Sequence, residues 1–214
     1  FLAKRENNPN RAHIIVNTRQ AKHFPSDPVK SLENFETLAR KAAQDGRAEK
    51  PTVVIAFAET ATAIGAVVAG AFHDCFFVTT TREKLPDWAT AITFEESHSH
   101  AKKHYLCVRD EDIFRRAAQV VLVDDEYTTG STALKLIKAL DGCLAPDCRI
   151  YAASLAASAE SLERFRDAGV TPVTLADTGN ITNTAEPEQI SPDISAVPRK
   201  PDIVLRRNCV LDPR

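Results

Sequence analysis

Short apolar runs alternating with helical segments constrain this chain more than any other feature. TVVIAFA (52–58), CFFVTTT (75–81), QVVLV (119–123), CRIYAASLAA (148–157) and VTPVTLAD (170–177) read as strands, with HIIVN (13–17) and YLCV (105–108) as shorter ones. Continuous apolar runs of this length suit strands buried on both faces. Helices are predicted between them, over 26–46, 60–72, 111–117, 131–142 and 158–169. In the first, Ser26 or Asp27 can cap, Pro28 suits the opening turn and Gly46 can end it, with Val29, Leu32, Phe35, Leu38, Ala39 and Ala42 at helical spacing. Strand–helix alternation implies βαβ units, hence an α/β fold with a mostly parallel sheet and helices on both faces. In such sheets ligands bind beyond the carboxyl ends of the strands. The loops that leave those ends are 58–61, 81–104 and 124–130.

Composition narrows the function classes. A net charge of −2 gives no global basic field, so neither nucleic acid nor an anionic membrane is an expected partner. No apolar run approaches the roughly 20 residues that cross a bilayer. No signal-peptide pattern opens the sequence. The five cysteines, Cys75, Cys107, Cys143, Cys148 and Cys209, are odd in number and scattered, which suits a reducing cytoplasm. Cys143 and Cys148 lack two further ligands at zinc spacing, so no direct protein metal site is assigned. The sequence begins at Phe1 and holds no methionine, so chain lost upstream or elsewhere is expected.

The chemistry concentrates in VVLVDDEYTTGST (120–132). A helix N-terminus carries open N–H groups and partial positive charge, and so holds a phosphate well. Gly130 lets the backbone approach, and Thr128, Thr129, Ser131 and Thr132 add hydroxyls. Asp124 and Asp125 would repel a phosphate but accept hydrogen bonds from two adjacent sugar hydroxyls. A sugar phosphate satisfies both halves. No Gly-Lys-Ser/Thr follows, so this is not a Walker loop. The competing reading is a capped helix behind a buried strand.

Residues 120–132 resemble the phosphoribosyl-pyrophosphate (PRPP) motif of type I phosphoribosyltransferases, and the strand order agrees over about 50–177. The resemblance implies a Rossmann-like core, a flexible loop and a small hood over the base. It implies that Asp124 and Asp125 hold the ribose hydroxyls, that Thr128 to Thr132 cradle the 5′-phosphate, and that Mg²⁺ travels with the substrate. The family's pyrophosphate loop matches FAETATAIG, with Ala58, Glu59, Thr60 and Ala61 in place; the alternative there is a helix capped by Thr60. The mobile catalytic loop matches the polar segment 82–104, whose Arg82, Lys84, His98 and His100 are candidate catalytic groups. Hypoxanthine–guanine enzymes carry an Asp where Thr128 stands, so a pyrimidine-like or orotate-like base is favoured over a 6-oxopurine.

FEESHSHAKKH and NTRQAKHFP also resemble a phosphoribosyltransferase subgroup of tellurite-resistance and stress operons. That match makes Arg19, Lys22 and His23 candidates for the base side. A competence-associated group shares VDDEYTTGST, but its cysteine-rich zinc segment is not seen here. The expectation is a cytoplasmic Mg²⁺-dependent phosphoribosyltransferase acting on PRPP and a nitrogen base, possible as a homodimer, over residues 1–184. The hood would draw on about 1–25, and a Pro-rich tail would follow over 185–214. The alternative is a regulator that binds PRPP or nucleotide without turnover.

Overall fold

The sheet is built around strands whose two faces are both apolar. The structure, a computed structural model, describes residues 2–4, 13–20, 22, 25–45, 47–83, 90–95, 103–110 and 112–179. They fall into two units, which divide at Val16, inside the stretch expected to form the hood. The first holds β1 (Leu2–Lys4) paired antiparallel with β2 (His13–Ile15).

In the second unit, among the described residues, seven strands form one sheet in the order β5-β6-β4-β3-β7-β8-β9. These strands are β3 (Thr52–Ala56), β4 (Cys75–Thr81), β5 (Thr90–Glu95), β6 (Lys103–Val108), β7 (Gln119–Tyr127), β8 (Arg149–Ala157) and β9 (Thr171–Asp177). β4, β3, β7, β8 and β9 run parallel, and β5 and β6 add an antiparallel edge. The mostly parallel α/β sheet read from the alternation is therefore present.

Successive residues of the central strands point to opposite faces. Val53, Ile55, Val120 and Leu122 pack with Phe114 of α3 (Asp112–Arg116), Leu136 of α4 (Ser131–Ala139) and Phe165 of α5 (Ala159–Asp167). Val54, Ala56, Val121 and Val123 pack instead with Leu38 of α1 (Pro28–Ala42) and Ile64 and Val68 of α2 (Thr62–Ala69). Each fully buried aliphatic or aromatic side chain contributes about 1.5–3 kcal/mol of transfer free energy. Close packing requires a glycine on α2: a Cβ at Gly65 would stand 2.4 Å from Ala56 Cβ. Among the described residues, no helix is long and apolar enough to cross a membrane.

This order positions a site. From β3 the chain moves to β4 on one side and later returns to β7 on the other. Strand order therefore reverses between β3 and β7, and a crevice opens beyond their carboxyl ends. The turns at 58–61 and 128–130 leave those two ends.

Candidate functional site

β7 is longer than the apolar run predicts. It continues through Asp124, Asp125 and Glu126 to Tyr127, so both acids sit on a strand and not in a loop. Pairing with β8 carries the extension, with Asp124 opposite Ser154 and Tyr127 opposite Ala157. The two acids stay in contact but differ in their surroundings. Asp125 is buried, and its carboxylate is ringed by protein donors. Oδ2 accepts from Lys22 Nζ at 2.5 Å and Gln20 Nε2 at 2.6 Å, and Oδ1 from Thr60 Oγ1 at 2.9 Å. Burial alone would raise the Asp125 carboxyl; the Lys22 charge and these hydrogen bonds outweigh it and hold the group below the usual carboxylate range. Asp124 is half-buried and accepts from the Asp125 N–H at 2.8 Å. Desolvation first, then the Asp125 charge, pushes its carboxyl well above the usual range. Two adjacent acids thus have opposite electrostatic environments.

The turn beyond β7 is held from behind. Tyr127 is buried, donates to Leu122 O at 3.0 Å and meets the Phe165 ring edge-on at 4.9 Å. Gly130 adopts φ +65°, and a Cβ there would stand 2.8 Å from Phe165 Cζ. Glycine is required twice over, by the left-handed backbone and by the ring. From α5, Ser158 donates to Thr128 O, Ser161 Oγ donates to Tyr127 O at 2.9 Å, and Arg164 Nη1 donates to Thr129 O at 2.8 Å. Thr129 Oγ1 and Ser131 Oγ lie 3.0 Å apart.

The second turn follows β3. Ala58 N–H donates to Thr80 Oγ1 at 2.9 Å and Ala61 N–H to Phe57 O at 3.1 Å, so neither is open to a ligand. The Ala58–Glu59 peptide is cis. Thr60 does not cap α2, because its hydroxyl donates to Asp125. That removes the helix-cap alternative and ties the turn to the acid on β7.

Helix starts differ in their caps. α1 is capped by Asp27, which accepts from Val29 N–H at 2.9 Å. α5 is likewise capped by Ser158. The helices that begin at the crevice, α2 and α4, carry no side-chain cap. At α2 the Thr62 N–H makes a long 3.4 Å bond to Glu59 O, and at α4 the Ser131 N–H makes one of 3.4 Å to Thr129 Oγ1, so both helix dipoles meet the strand-order reversal with weak local partners.

The remaining candidates divide. Lys22 is brought to Asp125, placing its cation against the expected ribose acid. Arg19 and Glu59 are exposed, as is Arg82 just beyond β4. His23, Lys84, His98 and His100 lie outside the described residues, as does the tail 185–214. Segment 82–104 is not one continuous loop. Its Thr90–Glu95 forms β5, paired with β6 from Thr90 opposite Val108 to Glu95 opposite Lys103. Phe94 anchors it, edge-on to Phe57 at 6.3 Å and 5.2 Å from the buried His104 ring. A TAITF stretch of β-branched and aromatic residues was the available signal for that strand.

Sequence reasoning did not single out Gln20, Thr80 or Arg164. Their partners are 105, 22 and 35 residues away, so no local pattern marks them. Among the described residues, no group of three or more His, Cys, Asp or Glu could hold a metal. The described cysteines are free thiols, and burial pushes Cys75 up to about 11.

Similarity to known proteins agrees with this geometry. The phosphoribosyl transferase family model matches residues 1–176. No curated protein matches the chain in sequence. Adenine phosphoribosyltransferase from Rhodothermus marinus is similar in structure, at TM-score 0.57 and 17% identity over 83% of this chain and 93% of that one. The Trypanosoma brucei adenine enzyme, solved with AMP, pyrophosphate and ribose 5-phosphate, gives TM-score 0.54 at 17% identity, covering 75% of this chain and 71% of its own. Orotate phosphoribosyltransferase from Aeropyrum pernix gives 0.51 at 17%, covering 83% and 85%. At this identity the likeness is one of fold. The family match spans most of the chain, and the chain belongs to the phosphoribosyl transferase family.

Proposed function

We propose that this protein moves the 5-phosphoribosyl group from PRPP to a nitrogen base and releases pyrophosphate. One observation carries the reading. Two uncapped helix N-termini, of α2 and α4, flank an acidic pair at the point where strand order reverses. PRPP offers a phosphate, a diol and a pyrophosphate in that order. The α4 turn (128–132) suits the 5′-phosphate, and Asp124 and Asp125 suit the ribose hydroxyls. In the turn of Ala58, Glu59, Thr60 and Ala61, the Ala58 and Ala61 N–H groups and the Thr60 hydroxyl are already bonded, so the pyrophosphate would be met by the Glu59 and Thr60 N–H groups.

In the transfer the bond from ribose C1 to a pyrophosphate oxygen breaks, and a bond from C1 to the base nitrogen forms. The pyrophosphate leaves with the electron pair, and the base gives up a proton. The chain's part is positioning and electrostatics. Arg82, exposed just beyond the end of β4, is our candidate cation for the departing charge. Mg²⁺ would fit as an ion brought in by the substrate, because Asp124 and Asp125 offer hard oxygen donors and, among the described residues, no acid cluster forms a closed protein cage. Bound so, it would neutralise leaving-group charge.

For the acceptor we favour a pyrimidine-like base, because Thr128 stands where 6-oxopurine enzymes hold an acid. The second reading is a regulator that binds PRPP without turnover. It draws on Glu59, an exposed acid in the turn assigned to a polyanion. Pyrophosphate release from PRPP and Mg²⁺, assayed with orotate, uracil, adenine and hypoxanthine, separates the two. Release with at least one base supports the transferase. PRPP binding without release for any base supports the regulator.

A further inference from the structure

Arg164 lies on α5, outside the PRPP motif and beyond the next strand, yet it reaches the phosphate turn. Its Nη1 donates to Thr129 O at 2.8 Å and to Ser131 Oγ at 3.0 Å. Glu160, one helical turn earlier, stands 3.6 Å from the same nitrogen. Nothing in the βαβ scaffold requires this contact. α5 is already fastened to the turn by Ser158 and Ser161, and to the core by Leu162 and Phe165.

Two consequences follow from donor and acceptor chemistry. A guanidinium has donors only and stays charged at any working pH. Ser131 Oγ therefore accepts from Arg164, and its own proton is left to point elsewhere. Its protein neighbour in reach is Thr129 Oγ1 at 3.0 Å. That oxygen also receives Ser131 N–H, at a long 3.4 Å. The Ser131 proton can then turn from Thr129 to a ligand at the mouth of the uncapped helix, where a phosphate oxygen accepts better than a hydroxyl does. Arg164 also fixes the Thr129 carbonyl. That sets the peptide plane whose N–H belongs to Gly130, and it brings a full positive charge next to the helix dipole.

We infer that Arg164 is a positioning residue for the 5′-phosphate of the substrate, acting through Thr129 and Ser131 and supplying charge that the motif itself lacks. This assignment rests on reading 128–132 as the phosphate cradle, and the experiment separates the two. Ribose, ribose 5-phosphate and inorganic pyrophosphate are titrated calorimetrically into the full chain and its variants. The parent should bind ribose 5-phosphate at least tenfold more tightly than ribose; if it does not, the cradle reading itself fails, and Arg164 with it.

Given that preference, R164Q should bind ribose 5-phosphate about tenfold more weakly, because the turn loses the charge beside it and both hydrogen bonds that hold Thr129 and Ser131 in place. Its pyrophosphate affinity should stay within about twofold, and R164K, which keeps the charge, should stay within about threefold of the parent for ribose 5-phosphate. A purely structural role would move both ligands together. Parent-like binding of ribose 5-phosphate by R164Q overturns the assignment, and so does an equal loss for both ligands. If R164Q does not fold, the exposed change E160Q decides. Removing the competing carboxylate should tighten ribose 5-phosphate binding about twofold, and unchanged or weaker binding overturns the assignment.

Discussion

Lys22 Nζ stands 2.5 Å from Asp125 Oδ2, on the oxygen that also accepts from the Gln20 amide. The acid expected to hold ribose hydroxyls is therefore already satisfied by the protein's own donors. A carboxylate oxygen has two lone-pair directions, and Lys22 and Gln20 fill both on Oδ2. Sugar hydroxyls must then approach Oδ1, beside Thr60, or displace the lysine.

Lys22→Met should destabilise the fold at neutral pH by about 1–2 kcal/mol. That is less than a fully buried pair loses, because the Lys22 side chain keeps 29% of its exposure. The sign is fixed by Asp125, whose folded-state carboxyl is held low. A depressed carboxyl contributes stability above its unfolded value of about 3.9, lost as pH falls through the folded value. Denaturant melts from pH 7 downward should show the gap between parent and variant closing below the carboxylate range.

Asp124→Asn should act in the opposite direction on stability. Its carboxyl is raised by desolvation and by the Asp125 charge. An acid with a raised folded value is most favourable to folding at low pH and becomes a cost as pH climbs from the unfolded value toward the folded one. Asparagine removes that cost and can still accept from the Asp125 N–H. At pH 7 the midpoint should rise by about 2–4 °C, the response of a chain of this size to 1 kcal/mol. PRPP binding should weaken in the same variant. Calorimetric scans and titrations on one preparation check both signs together.

Gly130→Ala should cost about 1–3 kcal/mol, because an L side chain must take the left-handed backbone and press on Phe165. A loss of phosphate binding in that variant would therefore report a displaced turn as much as a missing donor. Thr129→Val is the milder probe, since it removes one hydroxyl at constant shape. Urea melts should show the Gly130 change well below the parent and the Thr129 change within about 0.5–1.5 kcal/mol of it.

The alternate amides of Thr90–Glu95 that point at β6 should resist hydrogen exchange without any ligand, while those on the open edge exchange freely. The strand is paired with β6 along its length and anchored by Phe94 on Phe57. Exchange as fast as in an open loop at the amides that point at β6 would contradict the strand. Arg82→Ala should lower turnover more than PRPP binding, because leaving-group charge is greatest in the transition state. Single-turnover rates beside titrations check that split.

The parallel core was legible because β-branched runs and helical spacing repeat with clear punctuation. The turn proposed for the phosphate has a local signature, from Asp124 to Thr132, and so could be singled out from the sequence. What the sequence concealed has a common cause. Gln20 and Lys22 on Asp125, Thr80 on Ala58, and Arg164 on Thr129 all join residues far apart in the chain. Such contacts follow from strand order, not from spacing. Strand β5 was hidden for another reason, since its short TAITF run lies inside a polar stretch. β7 overran its expected end because β8 supplies pairing partners for Asp124 to Tyr127, overriding the poor strand propensity of acids.

Titration of PRPP with Mg²⁺ into the parent and into Asp125→Asn tests the central claim most directly. The parent should bind, and the variant should bind roughly ten- to a hundredfold more weakly, the effect of removing a charged acceptor from the ribose hydroxyls. A parent that does not bind PRPP, or a folded variant that binds it equally well, would contradict the assignment of this crevice to a phosphoribosyl donor.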